Sequence, residues 1–256
     1  MNVRALVAEA VGTFVLIAMG SLGVSTAFLM SSGQSFVLML VVPWAFGLGL
    51  MAAIAIGGES SGGHFNPAVT LGSVLDGRTR WTTGLAYVVA QAIGAFAASL
   101  FILLVLAKEF VGATVNHAGS IAQDALTNEL HAFTTEIVLT AIFVAVILTV
   151  TSRAPSRAIV VIPLTLVAIH FAGIPISGAS VNPIRSLAPA VVSGDYEGLW
   201  VYLTAPFLGA IVGWGLFRLL SSSDDTDDED EEDELEDEEF EDEEDQLDDE
   251  DELEPA

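Results

Sequence analysis

The chain has 256 residues, of which 52% are hydrophobic and only 16% are charged, with a mean hydropathy of +0.61 and a net charge of −26. Of its 34 acidic residues, 25 lie between Asp224 and Glu254, which leaves 9 acids against all 8 basic residues in the first 220 positions. This near-neutral body excludes a basic nucleic-acid-binding protein, and its apolar runs of roughly 18 or more residues argue against an ordinary soluble domain. The absence of cysteine excludes disulfides, thiolate metal sites and cysteine nucleophiles.

Six long apolar runs follow one another along the body. Each is long enough to cross a hydrocarbon core of about 30 Å, and a spanning segment in lipid must close its backbone hydrogen bonds as a helix. The predicted spans are Ala5–Phe28, Phe36–Ile56, Trp81–Ala107, Ala132–Val150, Ala158–Ile174 and Leu199–Leu219. The first run is too long for a signal peptide and carries Glu9 within it.

The basic residues predict the orientation of these spans. If the N-terminus is cytoplasmic, six arginines fall on the cytoplasmic side: Arg4, Arg78, Arg80, Arg153, Arg157 and Arg218. Lys108 then falls outside, which is a clear positive-inside bias. An even number of spans returns the chain to the same side. We therefore expect a multi-pass protein of the cell membrane with both termini in the cytoplasm.

The two halves of the body, at about residues 1–110 and 128–220, resemble each other. Glu9 in AEAVGTFVLIA answers to Glu136 in TEIVLTAIFVA, and HFNPAVT from His64 answers to SVNPIRS from Ser180. Each half contains three spans, so equivalent helices must point in opposite directions. An inverted repeat of this kind places the functional site near the bilayer midplane, between the halves.

A short segment lies between the second and third spans of each half, from Asn66 to about Asp76 and from Asn182 to about Val192. Each begins Asn-Pro, which is typical of a helix start. About 11 residues cover roughly 16 Å at 1.5 Å per residue, which is half a membrane. The N-terminal partial positive charges of two such helices would meet near the centre. The predicted fold class is an all-α membrane protein with six transmembrane helices plus two re-entrant half-helices.

Two Asn-Pro motifs at matched positions, with Glu9 and Glu136 in matched first helices, resemble the aquaporin, or major intrinsic protein, family. The resemblance covers residues 1–220. It implies a passive pore in each subunit of a homotetramer, with no enzymatic activity, cofactor or bound metal. The pore centre that it implies consists of two tripeptides: Asn66, Pro67, Ala68, Asn182, Pro183 and Ile184. Ile184 stands where the family usually has alanine, and we expect it to affect packing between the half-helices more than the chemistry.

The narrow outer filter of the family maps by spacing onto four residues of this chain: Phe46, His170, Ala179 and Arg185. The Phe, His and Arg resemble the water-selective branch, because the glycerol-conducting branch usually has Trp and Gly in place of the Phe and His. That branch also usually has Asp after the Arg, where this chain has Ser186. Ala179 departs from the Cys or Thr common in water channels, and we expect it to widen that wall slightly. A charged Arg185 at membrane depth is expected to line a water-filled path and to repel cations.

The irregular segments before the two half-helices should present backbone carbonyls to that path, since non-helical backbone at membrane depth is tolerated where it lines a cavity. The carbonyl-bearing residues are Gly62, Gly63, His64, Gly178, Ala179 and Ser180. The resemblance implies that Glu9 and Glu136 accept hydrogen bonds from these loops, and His64 is interpreted as a further support. Glu59 stands where the family often has His, and it is either a solvated loop acid or a pH- or cation-sensitive entrance.

Residues 221–256 cannot bury enough apolar surface to fold, which predicts a disordered acidic cytoplasmic tail. One interpretation is solvation in the salt-rich cytoplasm of a halophile, with which the single lysine agrees. The other is a regulatory tail that binds a partner the sequence does not identify. The sign of the charge argues against binding to anionic lipid.

The leading hypothesis is a passive channel that conducts water across the cell membrane and excludes protons and ions. The first alternative keeps the fold and changes the permeant to glycerol, ammonia or another small neutral solute, for which Ala179 and Ile184 leave room. The second alternative is a transporter that uses Glu9 or Glu136 as a proton carrier. An enzyme is disfavoured because no catalytic triad or nucleotide-binding loop occurs in the sequence.

Overall fold

The computed structural model describes residues 2–31, 35–117 and 128–221, so the predicted acidic tail beyond Ser221 lies outside the described residues. The chain divides into two compact units, Met1–Gly215 and Leu216–Ala256. Of the second unit, only the helical residues up to Ser221 are described.

The described residues form nine α-helices: α1 (Val3–Ser31), α2 (Ser35–Ser61), α3 (Pro67–Leu75), α4 (Trp81–Val105), α5 (Lys108–Gly112), α6 (Glu129–Arg153), α7 (Ala158–Ser177), α8 (Pro183–Ser193) and α9 (Leu199–Ser221). A 3₁₀ turn, Pro155–Arg157, joins α6 to α7. Six helices are long and apolar enough to cross a membrane, namely α1, α2, α4, α6, α7 and α9. The short helices α3 and α8 begin at the two Asn-Pro motifs. The predicted fold class is confirmed.

The ends of the spans differ from the sequence prediction for tertiary reasons. Helix α2 continues past the predicted end at Ile56 to Ser61, although its last residues are small and polar. A Cβ atom on Gly57 would lie 3.2 Å from the Cβ of Ala8, so this end of α2 packs closely on α1. Helix α4 instead ends at Val105, and the short α5 that follows was not predicted.

Glycines allow the same close helix approach in both halves. A Cβ atom on Gly94 of α4 would lie 2.1 Å from the carbonyl oxygen of Ala10 in α1. A Cβ atom on Gly209 of α9 would lie 2.5 Å from the carbonyl oxygen of Ile137 in α6. The two glycines occupy matched positions of the repeat. The first and third spans of each half therefore pack closely against each other in the same way.

Polar side chains are buried inside the bundle, while large apolar side chains are exposed on the helices. Phe36, Trp81 and Leu104 are all exposed. Glu9 and Glu136 are fully buried. Large exposed apolar side chains together with fully buried acids fit a bundle surrounded by lipid, with its charged groups facing inward.

Candidate functional site

Each half-helix is capped by the asparagine that precedes it. The side-chain oxygen of Asn66 accepts a hydrogen bond from the N–H of Ala68 at 2.8 Å. The side-chain oxygen of Asn182 accepts one from the N–H of Ile184 at 3.2 Å. Both asparagines have extended backbone, as helix caps do. The caps fix each asparagine amide relative to the N-terminus of its half-helix.

The same two asparagines also join the halves to each other. The amide nitrogen of Asn66 donates to the carbonyl of Val181 at 2.7 Å, and that of Asn182 donates to the carbonyl of Phe65 at 3.0 Å. Both asparagines line the internal cavity described below. An amide nitrogen carries two hydrogens, so each asparagine retains one N–H beyond the bond to the opposite loop.

The loops before the half-helices share an unusual backbone. Positive φ angles occur at three matched positions of each loop: Gly62 (89°), Gly63 (67°), Phe65 (49°), Gly178 (79°), Ala179 (50°) and Val181 (46°). Glycine adopts this region freely, whereas a residue with a Cβ loses roughly 1–2 kcal/mol there. Such strain persists only where the surrounding contacts hold the backbone in place.

Glu9 holds the first loop. Its Oε1 accepts hydrogen bonds from the Ser61 hydroxyl at 2.6 Å and the His64 N–H at 2.9 Å. Its Oε2 accepts from the Phe65 N–H at 2.8 Å and from the Gln91 side-chain amide at 2.7 Å. Four donors therefore satisfy both oxygens of a fully buried carboxylate.

Glu136 holds the second loop in the same manner. Its Oε1 accepts from the Ser177 hydroxyl at 2.7 Å and the Ser180 N–H at 2.8 Å. Its Oε2 accepts from the Val181 N–H at 2.7 Å. The matched contacts explain why α2 and α7 both run on to a terminal serine, since each serine is fixed by a carboxylate of the adjacent first helix.

Three of the four predicted filter residues form one cluster. The rings of Phe46 and His170 are stacked with centroids 4.8 Å apart. The guanidinium carbon of Arg185 lies 4.6 Å from the centroid of the Phe46 ring. Phe46 itself packs where Gly20 of α1 has no side chain, since a Cβ there would lie 2.2 Å from the ring. This cluster is called the outer constriction below.

Two polar atoms of the outer constriction have no hydrogen-bond partner among the described side chains. His170 Nδ1 lies 2.9 Å from the carbonyl of Leu166. A carbonyl can only accept, so Nδ1 donates here and Nε2 of the neutral ring is an acceptor. Among the described side chains, His170 Nε2 and Arg185 Nε are buried and have no hydrogen-bond partner. Both residues line the cavity, so an unpartnered acceptor and an unpartnered donor lie within its wall.

The cavity has a volume of about 740 Å³ and extends from the outer constriction past both asparagines. Of the six residues predicted to contribute carbonyls, four line it: Gly62, Gly63, His64 and Ser180. Gly178 and Ala179 are not among its described lining residues. Ala179 is fully buried, and a Cβ on Gly173 would lie 3.0 Å from its Cβ. The fourth predicted filter residue therefore lies against α7 and away from the cavity.

The other end of the cavity, called the inner end below, is polar at its mouth. Arg78 donates to Asp76 at 2.6 Å, to the Thr151 hydroxyl at 2.7 Å and to the Ser152 hydroxyl at 2.6 Å. These bonds tie the loop after α3 to the end of α6. Glu59 also lines this mouth and is exposed, as expected of a residue at an entrance.

Ile184, the departure from the family motif, packs into the core. It is buried in a cluster with Ile17, Ala95 and Ala188, which belong to α1, α4 and α8. It is not among the described residues that line the cavity. The side-chain carbon atoms that Ile184 has beyond those of alanine therefore fill space between helices.

Several buried contacts were not predicted from the sequence. The hydroxyls of Tyr87 and Tyr202 donate to the carbonyls of Ser61 and Ser177, at 3.0 and 2.7 Å. The repeat already pairs these tyrosines, and this pairing was the signal that could have identified them. Asn116 bonds to Arg185 from the segment after α5, which has no counterpart in the repeat and no motif to mark it.

Comparisons with known proteins agree with this architecture. A family model described as Major intrinsic protein matches residues 1–217. Aquaporin Z of Photorhabdus laumondii is 39% identical over 227 residues, which cover 85% of this chain and 97% of that protein. Glycerol uptake facilitator protein-like 6 of Lactiplantibacillus plantarum is 35% identical over 228 residues, covering 86% and 100%. The X-ray structure of the aquaglyceroporin from Plasmodium falciparum has a TM-score of 0.73 at 24% identity, over 85% of this chain and 96% of that one, and shows the same fold.

Proposed function

Because the chain belongs to the major intrinsic protein family, whose members are passive channels and not enzymes, we propose that it conducts water across the cell membrane and excludes protons and ions. Family membership makes it a multi-pass membrane protein that passes water or small solutes. The choice of water rests on one observation, the clustering of Phe46, His170 and Arg185 at one end of the cavity.

The outer constriction suits water better than a larger solute. The His170 ring and the Arg185 guanidinium lie 4.8 and 4.6 Å from the centroid of the Phe46 ring, so three bulky groups crowd this end of the cavity. A water molecule can both donate and accept, which matches the unpartnered acceptor Nε2 of His170 and the unpartnered donor Nε of Arg185. A permeating water molecule would thus exchange its bulk hydrogen bonds for fixed ones at little cost.

Exclusion of ions and protons follows from positive charge at two levels of the pore. Arg185 places a full charge at the outer constriction, and cations are repelled by it. The N-termini of α3 and α8 add partial positive charges at the centre. The remaining N–H groups of Asn66 and Asn182 would both point at the oxygen of a passing water. That orientation interrupts the chain of hydrogen bonds along which a proton would move.

A small neutral solute such as glycerol or ammonia is the second candidate. The cavity wall includes many aliphatic residues, among them Ile54, Val69 and Ile162, which offer an apolar surface to a carbon skeleton. One of the relatives is named a glycerol uptake facilitator.

Coupling to protons is disfavoured by the surroundings of the two buried acids. Glu9 and Glu136 are fully buried, accept four and three hydrogen bonds respectively, and are absent from the described lining of the cavity. A proton carrier needs access to the permeation path from both sides. We therefore assign both carboxylates to the support of the re-entrant loops.

The distribution of the arginines supports cytoplasmic termini in the cell membrane. The family supports assembly as a homotetramer with one pore in each subunit. The acidic tail would then project into the cytoplasm, either as a solvated segment or as a site for a partner.

Stopped-flow light scattering on proteoliposomes tests the proposal. Fast shrinkage in an impermeant osmolyte, with no re-swelling in glycerol, is the expected result for the wild-type chain. His170→Ala should admit glycerol, whereas Ile54→Ala, at the repeat-related position in the same cavity, should not. Fast glycerol re-swelling of the wild type would favour the second candidate, and no acceleration of either flux would overturn both.

A further inference from the structure

One side chain from outside the repeat connects three parts of the outer constriction. Asn116 follows α5 and is buried. Its Oδ1 accepts hydrogen bonds from Nη1 of Arg185 and from the Ser186 hydroxyl, the latter at 2.7 Å. Its Nδ2 donates to the carbonyl of Gly178 at 3.1 Å. The amide thus bridges the first turn of α8 and the loop that precedes it.

The contacts of Arg185 show what this bridge does. Nη1 is also bonded to the carbonyl of Thr114 at 3.1 Å, so both of its acceptors come from the segment after α5. The guanidinium also lies against the Phe46 ring, and Arg185 lines the cavity. The position of the Arg185 guanidinium is therefore fixed by its hydrogen bonds to Asn116 and Thr114 and by its contact with the Phe46 ring.

Asn116 is the only one of these acceptors that a substitution can remove, since Thr114 contributes a backbone carbonyl. A buried guanidinium that loses one of two acceptors has to move or rehydrate. Removal of the amide would also open space beside the guanidinium. Arg185 would retract into that space, and the opening between it and the two rings would widen.

We propose that Asn116 is a positioning residue which sets the solute selectivity of the channel by fixing the guanidinium of Arg185 in the outer constriction. The proposal rests on the proposed function, because it assumes that this constriction is the filter. It adds a specificity-determining residue that lies in neither half of the repeat.

The test compares Asn116→Ala with the wild type in proteoliposomes, with the glycerol-to-water permeability ratio as the readout. We expect the ratio to rise about tenfold, in line with the loss of one hydrogen bond to a charged group. Asn128→Ala is the matched control, because Asn128 caps α6 through Leu130 and His131 and has a purely structural role. The control should keep the wild-type ratio even if its thermal stability falls.

Asn116→Asp provides a second variant that does not depend on Asn116→Ala folding. Its carboxylate still accepts from Arg185, so the ratio should stay within about twofold of wild type. The carboxylate also neutralises the charge of Arg185, so proton leak should rise about tenfold. A pH-sensitive dye inside the vesicles measures this leak.

A wild-type ratio in Asn116→Ala overturns the proposal. If that variant does not reconstitute, a glycerol-to-water ratio in Asn116→Asp that rises about tenfold, although its carboxylate still accepts from Arg185, overturns it instead. Failure of the proposed function looks different, because the wild-type chain itself would then show no fast shrinkage. A wild type that conducts glycerol in place of water would still report the positioning role through the same ratio.

Discussion

The outer and inner parts of the cavity are related by the offset of 116 residues that takes Asn66 to Asn182. The outer constriction consists of Phe46, His170 and Arg185. The residues at the repeat-related positions, which also line the cavity, are all aliphatic: Ile162, Ile54 and Val69. The repeat therefore gives the two ends of the cavity related backbone positions, while the aromatic and charged side chains of this set occur at one end only.

The supporting contacts, by comparison, are duplicated. Both carboxylates bind a helix-terminal serine and two N–H groups of the loop, and a tyrosine closes each helix end. One difference remains, since Gln91 adds a fourth donor to Glu9, whereas the matched position of the second half is Pro206. Proline has neither a backbone N–H nor a side-chain donor, so Glu136 accepts hydrogen bonds from only three of the described donors.

The largest effect is expected from Glu136→Leu, which removes the shared supporting element from one half. The N–H groups of Ser180 and Val181 would be buried without an acceptor, at about 1–3 kcal/mol each, and the Ser177 hydroxyl would keep only its long contact with the Gly173 carbonyl. We expect aggregation on size-exclusion chromatography in mild detergent. Glu59→Leu is the control, since Glu59 is exposed and its loss should not change the elution. A monodisperse, water-conducting Glu136→Leu protein would contradict the support role.

Arg185→Val gives the outer end the residue that Val69 provides at the repeat-related position. A unit charge repels another by about 4 kcal/mol at about 4 Å in a medium of effective dielectric constant near 20. Loss of this repulsion should raise proton leak by more than about tenfold while water still passes. Dye-loaded proteoliposomes measure the leak, and Val69→Ala should leave it unchanged. If the proton leak of Arg185→Val equals that of the wild type, the barrier to protons lies at Asn66 and Asn182 instead.

Ile184→Ala restores the alanine that Ala68 provides in the first motif. Because Ile184 is buried in the core cluster with Ile17, the change should leave a cavity and cost about 2–5 kcal/mol. Thermal aggregation in detergent should therefore begin at a lower temperature. Water permeability per channel should not change, since Ile184 does not belong to the described cavity lining. Ile17→Ala is expected to behave alike; a changed permeability at unchanged stability would place Ile184 at the pore.

Ala179→Gly gives the second loop the residue that Gly63 provides in the first. The φ angle of +50° at Ala179 costs strain that glycine relieves, so thermal stability should rise by about 1 kcal/mol or less. Glycerol exclusion should not change, because Ala179 lies away from the described cavity. Ala188→Gly within α8 is the opposite control and should destabilise by about 1 kcal/mol. Increased glycerol flux in Ala179→Gly would make it the fourth wall of the filter.

The six spans, the two half-helices and the buried acids could be predicted from the sequence because each leaves a local mark. Long apolar runs, Asn-Pro pairs and acids inside apolar runs can be recognised without knowledge of distant contacts. The helix ends were less predictable. The polar residues up to Ser61 are helical because Ser61 bonds to Glu9, which lies 52 residues earlier in the sequence.

The sequence by itself determined the membrane class, the inverted repeat and the residue types at the narrow end of the pore. These properties depend on hydropathy and on motifs that neighbouring residues create. The tertiary structure alone decided that Ala179 and Ile184 lie away from the cavity and that Asn116 holds Arg185. The physical reason is that a side chain lines a pore or fills a core according to which helices surround it, and hydrogen bonds across about 70 residues leave no pattern in the chain.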